Sequence, residues 1–225
     1  MKKTILVVAA HPDDEIIGCG GTLARLIDDG HNVYVLILSE GVYSRDYMGD
    51  LSFLDYTTQL ASCAKEANKH LGVKEVFTFS FPDNNFDGVS LLSIIKEVEK
   101  IKRVVRPDIV FTHYYNDLNI DHRLTYSAVI TATRPTINES VKEIYSFEIL
   151  SSTEWNYPTL FSPNMFYNIT NTIDKKLYAL DLYKQEMREF PHPRSIDGVK
   201  TNCKIWGMKV GVEFAEAFEV VRIVK

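Results

Sequence analysis

Basic side chains are in the minority: 25 Lys and Arg stand against 30 Asp and Glu, a net charge of -5, and they form no cluster along the chain. A protein that neutralises nucleic-acid phosphates needs such a cluster, so general nucleic-acid binding is excluded. Cysteine is scarce as well. Cys19, Cys63 and Cys203 are odd in number and lack CxxC or finger spacing, which excludes a disulfide framework and a structural zinc knuckle and makes a reducing cytoplasm the expected compartment. No apolar segment approaches the roughly 20 residues that cross a bilayer. The run Ile5 to Ala9, after the basic Met1-Lys2-Lys3, imitates a signal peptide but is too short and ends in polar residues. Internal repeats, low-complexity tracts and linkers are also missing. Gly18-Cys19-Gly20-Gly21 is no dinucleotide fingerprint, because it follows a polar motif and lacks the spacing.

What is present suits a folded protein: 45% hydrophobic and 24% charged residues, over 225 positions. That length supports one sizeable core, read as a single domain over 1–225. Thr4 to Ala9 and Val33 to Leu38 are continuous apolar runs, the pattern of strands covered on both faces. Between them Glu15 to Asp29 has helical spacing, with Gly30 placed to end it. Thr57 to Leu71, Ser90 to Val105 and Asp121 to Thr133 read as helices. Val76 to Phe79, Asp108 to Thr112 and Lys142 to Ile149 read as strands. Ser151 to Pro163 reads as a long irregular excursion, Asp174 to Glu189 and Ser195 to Val210 as helices, and Phe218 to Ile223 as a closing strand. Such alternation implies a Rossmann-like α/β sandwich of three layers around a mostly parallel sheet, with ligands beyond the carboxyl ends of the strands.

Two polar clusters fall at that edge. The first is His11-Pro12-Asp13-Asp14-Glu15, directly after the first strand. Crowded carboxylates resist burial unless a cation or shared proton relieves them. A helix start with Pro and acids in its first turn explains the acids but not His11. His11 and Asp14 could bind one divalent ion, with a third ligand from Asn119-Ile120-Asp121-His122 after the fourth strand; His122 is the choice. Two nitrogens and one carboxylate with an open position suit catalytic zinc, although another divalent metal is compatible. Asp13, between the two ligands, is then placed to accept a proton from water and pass it to a leaving amine.

His-Pro-Asp-Asp-Glu after a first strand, with Asp-His after a later one, resembles the PIG-L/LmbE family of zinc-dependent de-N-acetylases. Ser39-Glu40-Gly41 with Arg45 and Phe81-Pro82-Asp83-Asn84 resemble further family loops. Tyr183 to Ser195 and Gly211 to Glu219 are similar to a branch found with bacterial surface-sugar biosynthesis. The resemblance implies zinc on His11, Asp14 and His122, Asp13 as general base, and hydrolysis of the acetamide of an N-acetylated sugar, free or linked to a nucleotide or lipid. Related enzymes are often homo-oligomers; the sequence itself carries no interface signal. Many members read His-x-Asp-His where this chain reads Asn119-Ile120-Asp121-His122. Asn119 can donate a hydrogen bond to an oxyanion but carries no charge.

His113 and His192 are candidates for the role of the missing histidine in contact with substrate, against the plainer reading that a strand-end histidine bonds backbone. Asp121 orients a neighbouring side chain or caps the next helix. Arg45 could pair with a phosphate or sugar hydroxyls and Asp83 could bind hydroxyls; both are otherwise solvated loop residues. Tyr114, Tyr115, Trp155 and Tyr157 could stack on a ring or simply pack. Two rival functions stand beside the hydrolase: a metal- and sugar-binding protein that has lost catalysis through Asn119, and a metal-dependent phosphoesterase.

Overall fold

The computed structural model describes residues 1–41, 50–158 and 160–225, and of residues 50–55 the backbone alone. Strands and helices alternate as β1 (Thr4–Ala9), α1 (Asp14–Asp28), β2 (Asn32–Ser39), α2 (Asp50–Leu71), β3 (Glu75–Phe81), α3 (Leu91–Val105), β4 (Ile109–His113), α4 (Ile120–Ala132) and β5 (Glu143–Phe147). The chain continues through β6 (Met165–Asn168), α5 (Ile173–Asp181), α6 (Ile196–Val210) and β7 (Ala215–Ile223). Seven described strands form one sheet in the order β3-β2-β1-β4-β5-β7-β6. Pairing from β3 through β5 is parallel, whereas β7 runs antiparallel to both β5 and β6. The expected mostly parallel α/β sheet is therefore present.

The continuous apolar strands bury both faces. Ile5, Val7 and Ala9 of β1 join the core under α1, α2 and α5, while Leu6, Val8 and Ala10 join the opposite core under α3 and α4. Each buried Ile, Leu or Val side chain here contributes about 1.5–3 kcal/mol by leaving water. Strand order reverses at β1: its crossover leads to β2 on one side, and β4 lies on the other. Loops leaving β1 and β4 part at that switch point, which opens a crevice at the carboxyl edge of the sheet.

Several boundaries differ from the sequence reading. The second helix starts at Asp50 rather than Thr57. The helix expected over 174–189 stops at Asp181, because beyond it Tyr183 turns inward to Glu15 and the chain makes turns around Glu186. β6 has no counterpart in the reading; four half-exposed edge residues give no period to read. β7 begins at Ala215 rather than Phe218.

Helix α1 is set tightly onto the sheet. A Cβ at Gly18 would lie 2.4 Å from the Phe147 ring, and one at Gly21 would lie 2.7 Å from Ile169, so close packing is the use of this glycine run. A buried ion pair also enters the helix. Lys176 Nζ donates to the Ile17 carbonyl at 2.7 Å, and Gly21 and Thr22 donate their N–H groups to Glu216 at 3.0 and 2.7 Å. In an undisturbed helix that carbonyl pairs with Gly21 N–H. Lys176 and Glu216 close the arrangement with a 2.5 Å contact.

Candidate active site

Three donor atoms converge where β1 and α4 meet. His11 Nδ1 lies 3.3 Å from Asp14 Oδ2, His122 Nε2 lies 3.4 Å from the same oxygen, and the two nitrogens are 3.3 Å apart. Three ligands of a tetrahedral ion held at about 2.0–2.1 Å are separated by about 3.3–3.4 Å, so the triangle fits zinc. Asp14 Oδ1, also buried, has no hydrogen-bond partner among the described residues, and a fully buried carboxylate oxygen left without a donor is expected where a cation binds. The site draws positive charge. Burial acts to lower both imidazoles, yet Asp121 and Asp14 push His11 up to about 10, and Asp14 with Asp117 pushes His122 up to about 9.

Each ring has a carboxylate close behind its outward nitrogen. His11 Nε2 lies 3.0 Å from Asp121 Oδ2 and 3.2 Å from Asp83 Oδ1, and Asp121 Oδ1 accepts the Phe86 N–H at 2.9 Å. His122 Nδ1 lies 3.0 Å from Asp117 Oδ1. Asp117 further accepts from the hydroxyls of Ser152 and Thr153 and from Asn119 N–H. Burial works against its charge, but His122 and these hydroxyls hold its carboxyl down at about 2. With a cation in place of the inner protons, protons kept on the outward nitrogens would leave the His11 Nδ1 and His122 Nε2 lone pairs facing Asp14 and the ion.

Asp13 stands beside this triangle as the residue preceding α1, with φ 99° and ψ -29°. A non-glycine residue in this region costs about 1–3 kcal/mol and persists where its surroundings enforce it. Here Glu15 Oε2 accepts the Asp13 N–H at 3.1 Å, while Asn68 and the Tyr183 hydroxyl hold Glu15 Oε1 at 2.8 and 2.7 Å. Burial pushes Glu15 up to about 7. Burial also pushes Asp13 well above the usual carboxylate range, against the pull of Arg194, whose Nη1 lies 3.2 Å from Asp13 Oδ2.

These groups line a cavity of about 170 Å³ together with Asp83, Asn84, Asn119, Ser151, Ser152, Glu186 and Arg194. Asn119 caps α4: its Oδ1 accepts the Asp121 N–H at 2.8 Å, which turns its amide nitrogen toward Asn84 Oδ1 at 2.9 Å. The structure thus brings together His11, Asp13, Asp14, Asp83, Asn119, Asp121 and His122. It does not bring His113 and His192 to the cavity wall. His113 is fully buried, accepts the Ala10 N–H at 2.9 Å and stacks on His122 at 4.0 Å; burial, with His122 adding, keeps it neutral by holding it well below its ordinary range. His192 Nδ1 accepts the Arg194 N–H at 3.1 Å, and its ring meets Trp155 edge-on. Arg45 lies outside the described residues.

Sequence reasoning missed Asp117, Arg194, Glu186 and the partners of Glu15. Asp117 lies two residues before Asn119 in the loop after β4, and Arg194 and Glu186 lie in the segment Tyr183 to Ser195, which is similar to one family branch. No spacing connects any of them to His11 or Asp13, because the contacts span 181 residues in one case.

Residues 6–133, more than half of the chain, match the model of the PIG-L family, described as GlcNAc-PI de-N-acetylase. The chain belongs to this family. It is 28% identical over 190 residues, 83% of this chain and 84% of the relative, to a probable N-acetyl-alpha-D-glucosaminyl L-malate deacetylase 2 of Bacillus cereus. Its fold resembles that of N,N'-diacetylchitobiose deacetylase from Pyrococcus horikoshii, with a TM-score of 0.78 and 24% identity, covering 98% of this chain and 84% of that one. It also resembles the 4-carboxy-2-hydroxymuconate hydratase of Pseudomonas putida KT2440, with a TM-score of 0.77 and 22% identity over 100% and 99%. One fold thus carries more than one reaction, and function has to be argued from the site.

Proposed function

We propose that the protein is a zinc-dependent hydrolase that removes the acetyl group from an N-acetylated amino sugar or sugar conjugate. The carrying observation is the His11, Asp14 and His122 triangle with Asp13 at its side. Zinc held by these three side chains would acidify water and polarise the amide carbonyl. Asp13 takes the proton of the attacking water and delivers it to the departing nitrogen, which leaves as an amine alongside acetate. Asp121 and Asp83 hold His11, Asp117 holds His122, and the Asn119 amide offers a neutral donor to the developing oxyanion. The family match and the deacetylase relative support the amide as the bond cleaved, in place of a phosphoester. Arg45 is assigned to the sugar or its carrier, and the pathway to glycan or sugar-metabolite synthesis.

The deciding experiment offers purified protein, with zinc determined by metal analysis, a panel of N-acetyl sugars and phosphoesters. Acetate release that disappears in Asp13→Asn while zinc stays bound is expected. Phosphate release without acetate supports the phosphoesterase, and binding without turnover supports a non-catalytic binder.

A further inference from the structure

We infer that Arg194 is the positioning residue of Asp13: its guanidinium grips Oδ2, so that Oδ1 is the oxygen presented to the water and to the leaving nitrogen. This rests on the deacetylase reading of the site. Arg194 is the only arginine or lysine among the described residues lining the cavity. Its Nη1 lies 3.2 Å from Asp13 Oδ2, and its Nε donates to Ser151 Oγ at 3.2 Å. Among the described residues, Oδ1 receives no donor.

Two loops are shaped around this one side chain. The turn before α6 fixes the Arg194 backbone from both sides: its N–H donates to His192 Nδ1 at 3.1 Å, and its carbonyl accepts from Arg188 at 3.0 Å. The next residue, Ser195, caps α6 by accepting the Gly198 N–H at 2.9 Å. Across the cavity, Ser151 adopts φ 68°, and Glu154 accepts its N–H at 2.6 Å. Left-handed backbone at Ser151 aims its hydroxyl at the guanidinium. Asp13 is likewise left-handed, with its N–H tied to Glu15. With the backbone fixed, Asp13 keeps its two side-chain torsions, and the Arg194 contact on Oδ2 restrains both. A base misplaced by about 1 Å costs up to about a hundredfold in rate. Arg194 thereby occupies the outer side of the base, while the charge that a family histidine would bring is missing at Asn119.

The test uses full-length, zinc-loaded protein with an N-acetyl sugar it hydrolyses. Arg194→Gln is expected to lower kcat about 10- to 100-fold with KM within about threefold and zinc content unchanged. Added guanidinium ion is expected to restore part of the kcat of Arg194→Ala. Crystals of Arg194→Gln should show the Asp13 carboxyl rotated or split. A kcat within threefold of wild type, a raised KM at unchanged kcat, or an unmoved Asp13 overturns the assignment. Should Arg194→Gln fail to fold, Ser151→Gly accommodates the left-handed backbone and removes the hydroxymethyl group that Arg194 contacts; a fall of a few-fold in kcat supports the proposal and an unchanged kcat overturns it. If wild-type protein releases acetate from no sugar, the deacetylase reading fails, and the position of Asp13 in the crystals still decides the role of Arg194.

Discussion

His11 and His122 have the same pair of neighbours in mirror order: a shared Asp14 at one nitrogen and a dedicated carboxylate at the other. The dedicated partner chooses the tautomer, and a wrong tautomer turns a lone pair into an N–H that cannot bind a metal. Asp117 is therefore as much a part of the site as His122, although it touches no cavity space. Asp117→Asn is expected to weaken zinc binding about 10- to 100-fold without displacing the ring, measured by competition with a chromogenic chelator. Affinity unchanged from wild type would remove Asp117 from the metal site. His113 shows the opposite case. Its place next to the cluster suggested contact with substrate, whereas its Nε2 accepts the Ala10 N–H and its ring stacks on His122, leaving the buried Nδ1 without a partner among the described residues. A strand-end histidine beside an amide of the neighbouring strand is a packing solution, and one sequence cannot tell it from a ligand.

At the scale of elements, the position of α1 decides where Asp13 and Asp14 stand. The helix is anchored at its start by Glu15, which reaches α2 through Asn68 and the turn after α5 through Tyr183. Midway it is anchored by Lys176 of α5 and Glu216 of β7. Removing one partner of such a buried pair leaves the other charge uncompensated. Lys176→Met is expected to cost about 3–5 kcal/mol in urea unfolding, and Lys176→Met with Glu216→Gln less than the single substitution. Equal losses in single and double variants would show that the two charges are not coupled. The helical spacing of α1 and its terminating Gly30 were legible, because amphipathic period and left-handed glycine are local. The role of Glu216 was not: it lies 194 residues from the helix whose N–H it accepts.

For the whole molecule, the sheet order sets the diverging loops after β1 and β4 side by side at the switch point, and Ser151 and Ser152 after β5 with Glu186 and Arg194 between α5 and α6 close one side of the crevice. Under the proposed reading, two buried side chains and the half-buried His11, meeting in one triangle, would tie zinc binding to stability, since the unfolded chain holds no such triangle. Stripping the metal with a chelator is expected to lower Tm by roughly 5–10 °C, and readdition to restore it. His122→Ala should show no zinc-dependent shift. A Tm indifferent to zinc in wild-type protein would argue against metal binding at this site.

The parallel order of the first five strands and the five-residue cluster after β1 were written in the sequence, since two-sided burial needs continuous apolar runs and a helix start beside a strand end is contiguous in the chain. So was the pairing of that cluster with Asp121 and His122, because Rossmann-like crossovers deliver strand ends to one edge. Short edge strand β6, the antiparallel insertion of β7, and the inward turn at Tyr183 depended on what surrounds them. The sequence by itself determined which residue types meet at the crevice. Only the tertiary structure decided that Asp83 and Asp121 stand behind His11, that Asp117 stands behind His122, and that Arg194 grips Asp13. Those contacts are fixed by loop conformation and side-chain direction across distant segments, and no local period or propensity encodes them.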